Sequence, residues 1–140
     1  MKKIITASIL SFTFIAFTSF DYIKPSEEDL VGFWKIEKYL KSNESLPVSE
    51  LDISIQCTVE GNIGKFSGVN GKNLFSGIYE IKSKKEISVK GLMTTKYDQD
   101  PVSKSFIESF QKSSEFKLEN NKLLLINSKN NSVIIFNKKD

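Results

Sequence analysis

From about residue 30 onward, apolar residues recur at every second position in short runs bounded by turn residues. A period of two buries one face of an extended chain and leaves the other in water. Many such runs at close spacing point to a β-sandwich or barrel. Eight strands are predicted, over residues 31–40, 51–60, 65–68, 74–82, 86–91, 115–119, 122–127 and 132–137. In the first, Trp34, Ile36 and Leu40 share a face opposite Lys35 and Glu37, yet Phe33 and Tyr39 fall with the charges. Residues 41–47 read as a loop. Gly61-Asn62, Asn120-Asn121 and Asn130-Asn131 supply turns, since asparagine tolerates positive φ, and Lys84-Lys85 marks another. The runs 122–127 and 132–137 are almost continuously apolar, which predicts strands covered on both sides.

One segment breaks this rhythm. Asp100-Pro101 has the form of an N-cap followed by proline at the first helical position. Phe106, Ile107 and Phe110 then make a single helical stripe, ending near Lys112, that plugs or covers a β core. The expected fold is mainly β: a small, partly open barrel of about eight antiparallel strands interrupted by one α-helix. Its expected core includes Trp34, Ile55, Cys57, Phe106, Phe110, Phe116, Leu118 and Phe136. Cys57 lies on the face of Ile53, Ile55 and Val59, so it reads as a small buried hydrophobe.

The N-terminus has a different character. Lys2 and Lys3 precede an uncharged stretch, Ile4 to Phe17, and charge returns at Asp21. This is the layout of a secretory signal peptide, and its apolar core is short of the ~20 residues that span a bilayer. Ala16 and Thr18 suit a cleavage site after Thr18, with Ser19 or an uncleaved anchor as alternatives, giving a signal over 1–18, a flexible leader over 19–29 and a domain over 30–137. The expected location is periplasmic or secreted, with no stable membrane span after cleavage.

Composition narrows the chemistry. The 140 residues carry 20 basic side chains and 17 acids, a formal charge of +3. All 20 are lysines, and there is no histidine and no arginine. Loss of the signal leaves about +1, so the net basicity belongs largely to targeting. The remaining lysines are interspersed with acids, as on a solvated surface, and no nucleic-acid partner is expected. Without histidine no Ser-His or Cys-His nucleophile and no His-ligated zinc can be assembled. The single cysteine cannot form an internal disulfide. Asp98 and Asp100 lie close together, but catalytic carboxylate pairs usually come from separate elements. They read as a solvated loop residue and a helix cap, and two acids are too few for calcium. No catalytic residue, cofactor or metal is expected.

The most informative stretch is residues 66–79, Phe-Ser-Gly-Val-Asn-Gly-Lys-Asn-Leu-Phe-Ser-Gly-Ile-Tyr. It predicts a tight turn feeding a strand. Gly68 and Gly71 would supply backbone angles closed to other residues. Asn70 and Asn73 would bond their own nearby backbone. Gly77 suggests a bulge or a close backbone approach. Phosphate-cradling glycine loops open a helix, whereas this one opens a strand.

This stretch resembles the META domain family, which includes the HslJ heat-inducible proteins of bacteria. Gly68, Gly71, Asn73, Phe75, Gly77 and Tyr79 match the family pattern. The family's cysteine falls at Lys72, and a second falls near Gln99, so both are absent together. The resemblance extends from Leu30-Val31-Gly32-Phe33-Trp34 to the closing strands. It implies a small barrel-like domain, often exported and associated with stress responses or with secretion and virulence. It brings no enzymatic activity, and its signature residues look architectural. Gly32-Phe33-Trp34 is also similar to the opening of lipocalin barrels. The expectation is an exported, non-catalytic module in envelope stress or protein interaction, with another envelope protein as partner. The alternative is a lipocalin-like carrier of a small apolar ligand.

Overall fold

The computed structural model describes residues 25–97 and 100–140. The signal over 1–18, most of the expected leader, and Asp98 lie outside the described residues. Among the described residues, nine antiparallel strands form one curled sheet. They are β1 (Gly32–Lys41), β2 (Glu44–Leu46), β3 (Ile53–Glu60), β4 (Ile63–Asn70), β5 (Asn73–Ile81), β6 (Ile87–Thr94), β7 (Glu115–Glu119), β8 (Lys122–Asn127) and β9 (Ser132–Lys139). Eight follow the order β6-β5-β4-β3-β1-β9-β8-β7, and β2 pairs with β1 alone. The two edges meet near Glu86 and Glu115, where Ile87 N–H donates to the Ser114 carbonyl and Phe116 N–H to the Lys85 carbonyl. The barrel is thus closed at one point and partly open elsewhere.

The one α-helix among the described residues, α1 (Pro101–Gln111), joins β6 to β7. The Asp100 carboxylate accepts the Val102 N–H at 2.6 Å, and Pro101 opens the first turn. The stripe of Phe106, Ile107 and Phe110 is buried against the inner face of the sheet. Phe106 makes edge contacts with Tyr39, Phe75 and Phe136, and Phe110 with Phe66 and Phe75. Trp34, Ile55, Cys57, Phe116 and Phe136 are buried in the same core.

Several local expectations change in the folded chain. Tyr39 lies inside, fully buried, because a bulge between Ile36 and Lys38 shifts the phase of β1 by one residue. Leu40 turns outward in compensation. The predicted loop over 41–47 holds β2, since Ser42 and Asn43 both take positive φ and close a two-residue hairpin. Leu118 is not core. It is 37% exposed, because β7 is an edge strand and Leu118 sits near its open end. The outer faces of β8 and β9 are half-buried rather than covered by another layer. Leu124 lies opposite Ile135 and Ile126 opposite Val133, so these side chains shield each other.

The last residues of the expected leader are held to the sheet. Glu27–Leu30 form a 3-10 helix pinned to the sheet. Ser26 N–H donates to the Asp29 carboxylate at 2.8 Å. The Glu27 carboxylate accepts the Ile81 N–H at 2.8 Å, and its carbonyl accepts the Tyr79 hydroxyl at 2.7 Å. Leu30 is buried, and its carbonyl accepts the Trp34 indole N–H. Three hydrogen bonds to the sheet and one buried side chain hold residues 27–30 in place, despite the polar composition that suggests flexibility.

Candidate functional site

The resemblance-bearing segment is the β4–β5 hairpin, and its register explains its composition. On the inner face Gly64 pairs with Tyr79, Phe66 with Gly77, Gly68 with Phe75, and Asn70 with Asn73. Each aromatic ring lies over the glycine of the opposite strand. A methyl group on Gly64 would meet the Tyr79 ring at 2.6 Å, one on Gly77 the Phe66 ring at 2.6 Å, and one on Gly68 the Phe75 ring at 2.6 Å. Gly68 therefore serves space rather than a special angle, which corrects the sequence expectation. Gly71, with φ +65°, is the turn residue. Gly77 lies at a bulge between Ser76 and Ile78 and beside the Lys90 carbonyl. Gly64 belongs to this ladder although its sequence context did not single it out.

The two asparagines act at long range, contrary to the local bonding expected of them. The Asn73 carboxamide oxygen accepts from Tyr97 N–H at 2.8 Å and from the Thr95 hydroxyl at 2.9 Å. Its amide donates to the Tyr97 carbonyl. Asn70 donates to the Ser103 carbonyl on α1. Both are almost fully buried. They tie the hairpin to the β6–α1 connection and to the first turn of the helix. In the same way the Tyr39 hydroxyl meets the Ser105 carbonyl and the Ser105 and Ser109 hydroxyls at 2.6–3.0 Å.

The interior is filled. The residual space beside Leu30, Cys57, Phe66, Tyr79 and Phe110 is about 10 Å³, roughly the lower limit for one water. Burial pushes the Cys57 thiol up to about 12, so it stays protonated and unreactive at neutral pH. Burial, with Cys57 and the Glu27 and Glu28 carboxylates nearby, raises Tyr79 too. Among the described residues no three His, Cys, Asp or Glu side chains gather to hold a metal. No helix among them is long and apolar enough to cross a membrane.

A wide accessible concavity lies outside the barrel. A groove of about 570 Å³ crosses the outer face of β1, β3, β4, β5 and β6. One cross-strand row runs Phe33, Gln56, Ser67, Ser76 and Met93; the next runs Ser54, Val69 and Leu74, with Thr95 beyond. Small hydroxyl side chains form the floor, and Phe33, Leu74 and Met93 stand at the rims. Met93 is 70% and Leu74 61% exposed. None of the twelve lining residues is ionisable. The groove escapes a sequence reading because its members are spread over five strands. The visible signal was Phe33, an aromatic on the charged face of its strand.

The fold and its hairpin have counterparts. The family model described as META domain matches residues 28–140. The chain belongs to the META domain family. This META domain is similar in fold to a protein from Burkholderia xenovorans solved by NMR, at 15% identity and a TM-score of 0.66, over 81% of this chain and 86% of that one. It is also similar to a DUF4847 family protein from Bacteroides vulgatus ATCC 8482, whose crystal structure reaches 1.00 Å. There the identity is 17% and the TM-score 0.61, over 81% of this chain and 99% of that one. Among curated proteins, none matches. At these identities the likeness concerns the fold alone.

Proposed function

We propose that this META domain is an exported, non-catalytic module that binds another envelope protein through the outer groove of its sheet, in the stress-related setting the family resemblance implies. The observation that carries the reading is the groove itself: apolar rims and an uncharged floor, open to solvent on the outer face of the sheet. Exposed apolar surface of this kind marks contact sites more often than idle surface. The filled interior supports the same reading over the carrier alternative, because about 10 Å³ admits no apolar ligand. The family signature residues build the hairpin beneath the groove and leave no reactive group in it. A pull-down from envelope extracts with the purified chain is expected to enrich a defined protein, and Met93→Asp to lose it. Extracts that enrich no protein at any salt concentration refute the reading. Native mass spectrometry without detergent is expected to give the bare polypeptide mass; a retained apolar ligand would restore the carrier.

A further inference from the structure

Resting on that reading, we infer that the groove takes an extended peptide segment of the partner, apolar and uncharged over about five residues, with an acidic residue at the end that meets Lys35 and Lys139. The dimensions come first. The groove crosses five strands, and at ~4.8 Å between neighbours its floor is about 19 Å long. Extended chain advances ~3.3 Å per residue, so five or six residues fill it. The floor comes next. Ser54, Gln56, Ser67 and Ser76 place a donor or acceptor on successive strands. That array suits the alternating N–H and C=O groups of a peptide. Hydrocarbon laid on it would strip these groups of water without replacing the bonds. The rims take side chains: Phe33 at one end, Leu74 and Met93 at the other.

Charge sets the direction. Lys139 is the cross-strand neighbour of Phe33, and Lys35 that of Ser54. Neither is in an ion pair among the described residues. The acids further down the same outer face, Glu60 and Glu80, are engaged by Lys65 and Lys90. The Phe33 end therefore offers two uncommitted cations beside an uncharged trough. A carboxylate placed there gains both, whereas a cation there is repelled.

The test is a random twelve-residue peptide display library panned against the full chain, followed by titration of synthetic copies of the recovered peptides. Expected are peptides with an apolar run flanked by Asp or Glu. Their affinity should fall roughly tenfold in the double variant K35E/K139E, as for the loss and reversal of two rim charges. Panning that variant should instead recover Lys- or Arg-flanked peptides. Circular dichroism checks that the variant is folded, which surface lysines on paired strands permit. Recovered peptides without acids, or with equal affinity for K35E/K139E, overturn the inference. So does binding to phosphatidylglycerol vesicles that blocks the groove while no peptide competes. An envelope partner lost on Met93→Asp but kept by K35E/K139E overturns the acidic-segment inference and leaves the interaction reading standing. An empty pull-down removes that reading itself.

Discussion

Gly68→Ala puts the architecture of the β4–β5 hairpin to a quantitative test. The added methyl would lie 2.5 Å from the Ser54 carbonyl oxygen and 2.6 Å from the Phe75 ring. Both approaches are far inside van der Waals contact. The carbonyl belongs to the β3–β4 ladder and cannot swing away, so the strands must separate or the ring must turn. Turning the ring disturbs the edge contacts of Phe75 with Phe106 at 6.0 Å and with Phe110 at 5.4 Å. Overpacking a core costs typically 1–3 kcal/mol, and each aromatic pair contributes ~0.5–1.5 kcal/mol beyond its area. The expected loss is about 3 kcal/mol, a large share of the ~5–15 kcal/mol available to a domain. Urea unfolding followed by Trp34 fluorescence measures it, and thermal melts should fall by roughly 4 °C per kcal/mol. Gly61→Ala is the internal control. Nothing lies within 4 Å of its added methyl, but its φ is +61°, so only the left-handed penalty of about 1 kcal/mol applies. A Gly68→Ala loss below that of Gly61→Ala would refute the ring-over-glycine account.

Three further outcomes follow from the same structure. Tyr39→Phe removes the hydroxyl bonded to Ser105 and Ser109, leaves the buried Ser109 hydroxyl without that partner, and should cost about 1–3 kcal/mol in urea titrations. Deletion of residues before Val31 removes the buried Leu30, worth about 1.5–3 kcal/mol, together with the Glu27 anchors, and should lower the melting temperature; an unchanged melt would show the 3-10 helix to be an ornament. Cys57 should resist a thiol reagent at pH 8 until the chain unfolds. Its folded value is raised above the unfolded one, so above pH 9 the unfolded chain sheds the proton first. Stability should therefore fall with rising pH between about 9 and 12, by up to ~1.4 kcal/mol per pH unit, with Tyr79 adding to the slope at the upper end. Cys57→Ala should remove the thiol part of that slope.

Much of the architecture was legible in the residue pattern. Period-two alternation marks strands wherever one face is buried; together with the continuous apolar runs over 122–127 and 132–137 and the turn residues between runs, it locates every described strand except β2. The Asp100-Pro101 start and the Phe106–Phe110 stripe placed α1 for the same reason: capping and helical period are local physics. The glycine–asparagine segment carried the family. What local pattern could not carry was phase and partnership. Alternation puts Tyr39 on the wrong face because a bulge resets the phase within β1. Alternation puts Leu118 in the core because strand period does not say which strand lies at an edge.

The roles of the signature residues divide along the same line. That Gly68, Phe75, Gly77 and Tyr79 matter was visible in the sequence, yet the reason lies across the hairpin, where each ring occupies the room left by the opposing glycine. Asn73 reads as a turn former and acts as a clamp on residues twenty-two and twenty-four positions away. The outer groove is the furthest from the sequence, since its floor takes one small side chain from each of several strands. Chain alternation determined which residues face outward. Only the register of five strands decided that Phe33, Gln56, Ser67, Ser76 and Met93 stand in one row, because register depends on turns, bulges and pairing partners far apart along the chain.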